Sequence, residues 1–495
     1  MAFCISIFVG FHDSGVAFAR DSEVLLALNA ERIFRRKHMR ATWEEIEQLL
    51  SIGLRGTNTR ISDVDTLYVA QWGCQKSRFV KVLGRRFAPV WTSHHANHVG
   101  WASSLGWNEG LAICADGGSE NGCSGIYRFS NGSYEPIVDL DRTILTGRFY
   151  GAITQAIFQS EHQESHVHLP GKTMGLSAFG RFDNGIASVL REHESYFANL
   201  HLDMNSELTN MLALESSFDE FDWKRWNLAH TAQKVWEDRW LEELRKLNAE
   251  GEKAIFSGGC ALNVQLNERI FSEEVFADVF IPPAPGDDGQ AIGALVHQTH
   301  AKCPSPFLGR TWGDAEEMPS RAIEDLVNGK IVFWFDGRSE VGPRALGHRS
   351  ILAPATSVAC RRKLNEQVKG REWYRPVAPI VPAECASDWF ELAKPSPWMA
   401  RAVKATQRTI DRAPAAVHVD GTSRVQTLTE GDNPILHRLL TEYGEATGIP
   451  ILLNTSMNRP GEPICDSPKD AALTFQSTSA DVLYVCGERY TQDHA

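Results

Sequence analysis

The chain has 495 residues, of which 43% are hydrophobic and 23% are charged, values typical of a soluble globular protein. This length predicts two or three domains rather than one core. The net charge of -12 and the isoelectric point of about 5.8 argue against a protein that coats DNA or RNA, because phosphate contacts require a basic surface. A small phosphorylated ligand in a local basic pocket remains compatible with this charge.

Neither a metal–thiolate site nor a membrane anchor is indicated. The ten cysteines are scattered and form no C-x-x-C pair, so structural zinc and redox dithiols are not predicted. The apolar run from Phe3 to Phe11 has no positive flank and is too short to span a bilayer. We therefore expect reduced thiols in a soluble, cytoplasmic protein that binds neither nucleic acid nor membranes.

The chain opens with a predicted β-meander whose first turn carries a histidine. Its strands are Phe3 to Val9, Val16 to Ala19 and Val24 to Leu28. The loop after the first strand, Gly10 to Gly15, contains His12 and Asp13. A histidine at a strand end is a natural general base near neutral pH. The alternative is that Asp13 and Ser14 only form the turn.

Three later strands each run into a glycine-rich turn, a pattern typical of α/β proteins that bind a ligand at the carboxyl ends of strands. These strands are Ala112 to Ala115, Ala254 to Phe256 and Val279 to Ile281. Other predicted elements are the helix Trp43 to Ser51, the strand Thr66 to Ala70 and the helix Gln290 to His297. Backbone N–H groups of such turns can hold phosphates, although turns also just reverse the chain. The candidates for phosphate binding are Gly117, Gly118, Gly258, Gly259 and Asn263.

His94 and His98 are separated by about one helical turn. If this stretch is helical, both imidazoles lie on one face, as a divalent metal requires. Asp287 or Asp288 could complete a two-histidine, one-carboxylate site suited to iron(II). Chance is the competing explanation, because the chain has 17 histidines. Three histidines of a later segment are expected to line a substrate loop or to be exposed: His162, His166 and His168.

A linker from Thr299 to Arg321 leads to a second domain that starts near Ala322. Its first strand, Ile331 to Phe335, precedes an arginine- and glycine-rich stretch, Gly337 to Ser350. Arginine binds carboxylate and phosphate oxygens two at a time, and glycine lets the backbone approach a ligand closely. We predict an anion site here, for a nucleotide or carbamoyl phosphate. The alternative is a solvated surface loop.

Further basic and polar residues recur at turn positions of this second domain. Together with Arg344 and Arg349 they could enclose a triphosphate, because arginine stabilises the charge that develops during adenylyl or phosphoryl transfer. The stretch Gly171 to Gly175 matches only the end of a P-loop, and we reject that interpretation. The candidates for binding nucleotide or carbamoyl phosphate are Arg344, Lys369, Arg375, Arg424, Asn454 and Ser456.

Taken in order, these segments resemble the O-carbamoyltransferase family of nodulation-factor and antibiotic biosynthesis (NodU/CmcH type). The resemblance covers nearly the whole chain, and several of its motifs are family-specific. In the first domain the matching segments are His12–Ser14, Glu31–Arg32, Arg36–His38, His94–His98, Asp116–Glu120, Gly171–Gly180, Gly258–Asn263 and Gly286–Ala294. In the second domain they are Glu340–Leu352, Lys369–Pro379, Asp420–Gln426 and Asn454–Ile464.

The resemblance implies an α/β enzyme in two parts. Residues 1–310 would form an actin-like (ASKHA), duplicated domain for carbamoyl transfer, with a fold shared by the universal tRNA threonylcarbamoyl transferase. Residues 322–495 would form a YrdC-like domain that makes carbamoyl adenylate from carbamoyl phosphate and Mg-ATP. The adenylate would pass internally to the first domain and carbamoylate a hydroxyl of a small secondary metabolite, such as an antibiotic precursor. A closed passage would protect this reactive mixed anhydride from water.

The resemblance also implies roles for individual residues. His12 would deprotonate the acceptor hydroxyl. His94, His98 and Asp287 would hold Fe²⁺ or another divalent metal, and the family pattern Gly-Asp-x-Gly selects Asp287 from the two neighbouring aspartates. Asp116 would lie close to the metal and the nucleotide phosphates. The six candidates of the second domain would bind ATP, carbamoyl phosphate and the adenylate.

The chain departs from the family pattern at three places. Pro354-Ala355-Thr356 stands where the family has Asp-Pro-Arg, and Met457 stands where it has phenylalanine. The segment before Gly171 is rich in histidine rather than in acidic residues and glycine. This third departure lies where an acceptor could bind. The acceptor therefore stays open among sugars, macrolides, nucleosides and amino acids.

Two other functions are compatible with the same domain types. A tRNA threonylcarbamoyl-type enzyme would share both parts, but the acidic charge disfavours it. A nucleotide-sensing regulator on an actin-like fold would bind ATP without depending on carbamoyl phosphate. Transfer to an amine is less favoured than transfer to a hydroxyl, and the sequence is compatible with a homodimer.

Overall fold

The computed structural model describes residues 2–71, 76–119, 122–141, 143–158, 169–194, 209–210, 214, 219, 221–303 and 305–492. Three large sheets organise these residues, two in the N-terminal part and one in the C-terminal part. No described helix is both long and apolar enough to cross a membrane.

The first sheet has the strand order β3-β2-β1-β4-β7. Strands β1, β2 and β3 are antiparallel neighbours, whereas β4 and β7 continue the sheet parallel to β1. The strands up to this point are β1 (Phe3–Val9), β2 (Gly15–Arg20), β3 (Glu23–Asn29), β4 (Thr66–Gln71), β5 (Val80–Val82), β6 (Arg85–Phe87) and β7 (Val90–Trp91). The helices are α1 (Ala30–Phe34) and α2 (Trp43–Gly56), and Thr42 and Glu45 form a capping box that begins α2.

The second sheet repeats this topology with the order β10-β9-β8-β11-β12. Again three antiparallel strands are followed by two parallel ones. Its strands are β8 (Glu109–Ser119), β9 (Gly122–Ser130), β10 (Ser133–Asp139), β11 (Lys253–Ser257) and β12 (Asp278–Phe280). The helices of this region are α3 (His94–Val99), α4 (Gly147–Phe158), α5 (Pro170–Ser177), α6 (Asn184–Glu192), α7 (Trp223–Arg245), α8 (Val264–Ser272) and α9 (Gln290–Thr299). Two sheets of the same strand order confirm the predicted duplicated, actin-like fold.

The C-terminal part is built on a seven-stranded mixed sheet of order β18-β15-β19-β14-β13-β20-β21. The strands of this part are β13 (Val332–Phe335), β14 (Arg349–Pro354), β15 (Ala378–Pro382), β16 (Val403–Lys404), β17 (Thr422–Ser423), β18 (Gln426–Leu428), β19 (Leu452–Ser456), β20 (Val482–Val485) and β21 (Glu488–Tyr490). Its helices are α10 (Ser320–Val327), α11 (Val358–Lys363), α12 (Gln407–Arg412), α13 (Pro434–Thr447) and α14 (Pro468–Gln476). The predicted α/β class is therefore confirmed for both parts.

Two arginines join the N-terminal part to the C-terminal part. The buried guanidinium of Arg32 donates to Ser339 Oγ at 3.1 Å and to the carbonyls of Glu340 and Gly342 at 2.6 and 2.7 Å. Arg338 donates in the opposite direction, to the carbonyl of Leu25 at 2.5 Å. Because arginine's fork of donors satisfies several carbonyls at once, these contacts fix how the two parts face each other.

Candidate active site

Four potential metal ligands come from three separate elements of the N-terminal part. His94 and His98 lie one turn apart on α3, so the condition for placing both imidazoles on one face is met. Asp116 lies in β8, where the register with β9 shifts between Ala115 and Ser119. Asp287 begins the short 3₁₀ turn that leads into α9. The fold thus brings these four side chains to one point.

The ligand atoms of this cluster converge. The Nε2 atom of His94 lies 2.9 Å from Oδ2 of Asp116 and 3.2 Å from Oδ1 of Asp287. The Nε2 atom of His98 lies 3.3 Å from each of the same two oxygens and 3.1 Å from Nε2 of His94. One donor atom from each residue falls within 4.8 Å of all the others. Two imidazole nitrogens and two carboxylate oxygens suit a divalent transition metal such as Fe²⁺.

The pKa shifts of these side chains also support a metal site. Burial opposes every charge in the cluster, yet the neighbouring carboxylates raise the pKa of His94 to about 10. Burial also opposes the charge of Asp287, but the two histidines hold the pKa of this carboxyl below its ordinary value. Oδ1 of Asp287 is buried and has no hydrogen-bond donor among the described residues. A cation between these ligands would satisfy that oxygen and leave the imidazoles neutral, as metal ligation requires.

The predicted phosphate turns lie beside this cluster. The N–H groups of Gly117 and Gly259 both donate to Oδ1 of Asp116, at 2.8 and 3.3 Å, so this carboxylate links the two turns. Gly258 has a φ of 97°, and a Cβ there would lie 2.2 Å from the carbonyl oxygen of Ala115, so only glycine fits.

Two further predicted phosphate-binding residues lie on the same turns. Gly118 follows Gly117 in the stretch of β8 where the register with β9 shifts. The side chain of Asn263 caps α8 by accepting from the N–H of Leu266 at 3.0 Å, and it also pairs with Gln233. In this arrangement Asn263 supports the turn rather than pointing a free amide at a ligand.

His12 lies next to the metal-ligand cluster and is part of a hydrogen-bonded chain. Its Nδ1 atom lies 2.8 Å from Oδ2 of Asp13 and 3.8 Å from Oδ2 of Asp287. The other oxygen of Asp13 lies 2.9 Å from Nδ1 of His38. Burial alone would lower the pKa of His12, but the Asp13 hydrogen bond and the Asp287 charge raise it to about 9. The side chain is about one third exposed, so it can meet a ligand.

The sequence alone predicts no role for His38. Its segment, Arg36–His38, matched the family, but nothing in the sequence shows that it folds back onto Asp13. The structure brings them together because the Ser14 N–H donates to the Met39 carbonyl at 3.2 Å.

A cluster of arginines forms the second site, in the C-terminal part. Arg344, Arg371, Arg375 and Arg424 lie close enough for their charges to influence one another. Burial and the neighbouring arginines lower the pKa of Arg344 to about 10 and that of Arg371 to about 9, and they hold the pKa of Arg424 well below its ordinary value. Within the described part of the chain, neither Arg344 nor Arg424 has a carboxylate or carbonyl partner. Glu372 lies 3.6 Å from Arg375, but Arg344 and Arg424 lack such a partner, so the cluster suits a polyphosphate.

The other predicted residues of this site border the cluster. Lys369 is buried, and its Nζ donates to the Ser456 carbonyl and to Oδ1 of Asn458 at 2.6 and 2.7 Å. Burial and the charge of Arg371 hold the pKa of Lys369 well below its ordinary value. Asn454 donates to Gln426 Oε1 at 2.8 Å, and its own Oδ1 is buried without a donor among the described residues.

Two arginines of the stretch Gly337 to Ser350 do not belong to the site. Arg349 is fully buried, stacks 3.7 Å over the Phe335 ring and donates to main-chain carbonyls, including that of Asp336 at 2.6 Å. The interpretation that Arg349 helps enclose a triphosphate is therefore wrong. Arg338 likewise holds carbonyls between the two parts, which leaves Arg344 as the arginine of this stretch that faces the site.

The two sites face each other. Lys37 is near enough to Asp13 on one side and Arg375 on the other for both charges to affect its pKa, which burial chiefly lowers. Arg344 is in turn near enough to Asp288 for the charge of this carboxylate to affect its pKa. The segment with His162, His166 and His168 lies outside the described residues.

Comparison with known protein families agrees with this geometry. Residues 76–296 match the family model "Carbamoyltransferase N-terminus", and residues 323–491 match "Carbamoyltransferase C-terminus". Together they account for most of the chain. The chain belongs to the carbamoyltransferase family. The predicted resemblance is thereby confirmed, and the metal-ligand cluster and the arginine cluster fall on different halves of this carbamoyltransferase.

Among its curated relatives, this carbamoyltransferase is 28% identical over 544 residues to nodulation protein NolNO of Sinorhizobium fredii (strain NBRC 101917 / NGR234), covering 96% of this chain and 78% of the relative. It is 33% identical over 324 residues to nodulation protein U of the same strain, covering 62% of this chain and 55% of the relative. Among solved structures, component A of (R)-2-hydroxyglutaryl-CoA dehydratase from Acidaminococcus fermentans is 15% identical with a TM-score of 0.40, covering 61% of this chain and 100% of that chain. That likeness is too low to support an argument.

Proposed function

We propose that this carbamoyltransferase makes carbamoyl adenylate from carbamoyl phosphate and ATP and transfers the carbamoyl group to a hydroxyl of a small secondary metabolite. The observation that carries the proposal is the arginine cluster, in which Arg344 and Arg424 have no carboxylate or carbonyl partner among the described residues. Lys37 is near enough to Arg375 and to Asp13 for both charges to affect its pKa, so the cluster lies near the site of His12. An anionic intermediate formed at the arginines would have only a short distance to travel. Residues 1–310 and 322–495 would be the transfer and adenylate-forming domains.

The first half-reaction would take place at the arginine cluster. Carbamoyl phosphate, ATP and one water give carbamoyl adenylate, phosphate and pyrophosphate, so a carbamate oxygen forms the new bond to the α-phosphorus as pyrophosphate leaves. Arg344, Arg375 and Arg424 would neutralise the phosphate charge that develops in this step. Lys369 and Ser456 would hold the carbamoyl phosphate or the adenylate beside them.

The second half-reaction would take place at His12. Its imidazole would take the proton of the acceptor hydroxyl while the oxygen attacks the carbamoyl carbon, and the bond to AMP would break. His94, His98, Asp116 and Asp287 would hold a divalent metal, which when bound supplies Lewis-acid polarisation and a place for the adenylate phosphate. The nearby turns with Gly117 and Gly259 would orient the nucleotide.

The test is release of pyrophosphate and AMP from Mg-ATP by the purified full-length protein, with and without carbamoyl phosphate and with no acceptor. We expect at least one pyrophosphate per chain, and only when carbamoyl phosphate is present. A trapped adenylate would show as a single burst of pyrophosphate without continuing AMP release.

The other outcomes point to the competing functions. Turnover of ATP that ignores carbamoyl phosphate would favour an actin-like nucleotide-binding regulator. Dependence on threonine and tRNA in place of a small acceptor would favour a threonylcarbamoyl-type enzyme. Carbamoylation of an amine by the same adenylate would keep the first half-reaction and change the acceptor class.

A further inference from the structure

In the hydrogen bonds around Asp13, the donor and the acceptor atoms are determined by the geometry. Oδ2 of this carboxylate lies 2.8 Å from Nδ1 of His12, and Nδ1 of His38 lies 2.9 Å from Oδ1 and 3.1 Å from Oδ2. A carboxylate can only accept, so both imidazoles must present an N–H at Nδ1. The Nε2 atom of His12 has no hydrogen-bond partner within the described residues, so in the neutral form of the ring it is the atom that can take a proton.

Two residues that take part in these hydrogen bonds, Asp13 and His38, have an uncommon backbone conformation. Asp13 has a φ of 54° and His38 a φ of 50°, both in the left-handed region that residues other than glycine seldom adopt. The loop that carries His38 is fixed from two sides. Oε2 of Glu31 accepts the N–H of His38 at 3.0 Å, and Oγ of Ser14 accepts the N–H of Ala41 at 3.0 Å. Strained residues fixed so firmly beside a site point to function rather than to the turn alone.

We propose that Asp13 is a positioning residue that fixes His12 with its proton on Nδ1 and that His38 holds Asp13 in place. The proposal rests on the proposed function, in which His12 is the base of the transfer step. As Nε2 takes the hydroxyl proton, the C–O bond to the acceptor forms, the bond to AMP breaks, and Asp13 stabilises the imidazolium. The other charged groups near these hydrogen-bonded residues are Glu31, Lys37, Asp116, Asp287 and Asp288.

The variants can be chosen so that the replacement residue keeps the left-handed backbone conformation. Asparagine and glycine both tolerate left-handed φ, so Asp13→Asn, His38→Asn and His38→Gly should fold. Asp13→Asn replaces one acceptor oxygen by an N–H₂ group. His38→Asn can still donate to Asp13, whereas His38→Gly cannot. The two His38 variants are therefore a matched pair that differs in the hydrogen bond.

The experiment follows transfer of the carbamoyl group to two oxygen nucleophiles, water and molar glycerol, and to hydroxylamine, which attacks without needing a base. For Asp13→Asn we expect transfer to water and glycerol to fall at least ~100-fold in kcat with little change in KM for glycerol. Capture by hydroxylamine should stay within about twofold of wild type, since the adenylate still forms. His38→Gly should lose about tenfold, and His38→Asn should recover most of that loss.

Three results would overturn the inference. Asp13→Asn could transfer to glycerol as fast as wild type. It could lose hydroxylamine capture in parallel, which would mean general damage to the site. His38→Gly could lose a bound metal ion that the wild type holds at Asp13, Glu31 and His38, whose donor atoms also cluster within 4.8 Å. By contrast, a wild type that releases no pyrophosphate with carbamoyl phosphate would mean that the proposed function itself has failed.

Discussion

At Arg424 the described part of the chain supplies no carboxylate or carbonyl partner for the guanidinium charge. The Nε atom is buried without an acceptor, and the neighbouring Arg344, Arg371 and Arg375 repel the guanidinium. A buried, unpaired charge costs several kcal/mol, so a fold that retains one is arranged for a ligand that is absent from the free protein.

Replacing Arg424 by alanine should therefore affect activity and stability in opposite directions. We expect pyrophosphate release that depends on carbamoyl phosphate to fall at least ~100-fold, because a contact to developing phosphate charge is lost. The melting temperature should stay the same or rise, because like-charge repulsion is relieved. Arg459→Ala is the matched control, since Arg459 is exposed and pairs with Glu462. A large drop in the control, or none in Arg424→Ala, would place the nucleotide elsewhere.

Metal binding can be tested with neighbouring histidines of α3. His94→Ala removes a central ligand, and we expect the metal content per chain, measured by elemental analysis after exposure to Fe²⁺, to fall by at least ~10-fold. His95→Ala is the control, because His95 is equally buried but its Nδ1 pairs with the Tyr127 hydroxyl at 2.6 Å. If His94→Ala keeps its metal, the ion is held by other residues, and His162 and His166 would be replaced next.

At the scale of single residues, the sequence predicts the role of a side chain when that role follows from its spacing to nearby residues. His94 and His98 lie one turn apart, and Asp116 follows a buried strand, so their convergence could be expected. Arg338, Arg344 and Arg349 look alike in the sequence, yet two of them hold main-chain carbonyls and one faces the site. Which way an arginine points depends on tertiary packing, and no local pattern encodes it.

Among the secondary-structure elements, the buried strands were the easiest to predict. Strand β1 has the predicted bounds, because its apolar run is buried on both faces. Strand β8 is longer than predicted, Glu109–Ser119 rather than Ala112 to Ala115, since pairing with β9 resumes at Ser119 beyond the glycine bend. Helix α2 continues to Gly56, beyond the predicted Ser51. The ends of elements depend on partners distant in sequence, which explains both differences.

Helix α10 is tied to the last two strands by a single carboxylate. Asp325 accepts from Arg489 Nε at 2.8 Å, from Lys330 Nζ at 2.7 Å and from the Tyr484 hydroxyl at 2.7 Å. Burial opposes its charge, but these three donors lower the pKa of Asp325 from 3.8 to about 2. Because the folded state has the lower pKa, the carboxylate stabilises the fold above about pH 4, and this contribution is lost as the pH falls toward 2.

Asp325→Asn should consequently lower the free energy of unfolding by about 2 kcal/mol at pH 7 and by progressively less below pH 4. The measurement is urea unfolding at several pH values. Glu324→Gln, an exposed neighbour on the same helix, should change stability by less than about 0.5 kcal/mol. An equal loss at pH 7 and pH 3 would show that packing, and not the charge, accounts for the effect.

For the molecule as a whole, the contacts of Arg32 determine whether the two sites stay aligned. Arg32→Ala removes three buried hydrogen bonds between the parts, and we expect the adenylate to escape to water more often. The readout is ATP consumed per carbamoylated product, which should rise several-fold from near one. Arg36→Ala is the control, because Arg36 is exposed and pairs within its own part with Glu45. An unchanged ratio would mean that Arg32 has only a structural role.

The position of Lys37 between Asp13 and Arg375 has a consequence for how the activity should respond to dilution. When two separate enzymes share an unstable intermediate, their combined output falls steeply as both are diluted, because the intermediate decays before it meets its second catalyst. Here one chain carries both sites, so the effective concentration of the intermediate beside His12 depends on distances inside the molecule and not on the concentration of the protein. Product formed per chain should then be the same in a dense cell extract and in a very dilute assay.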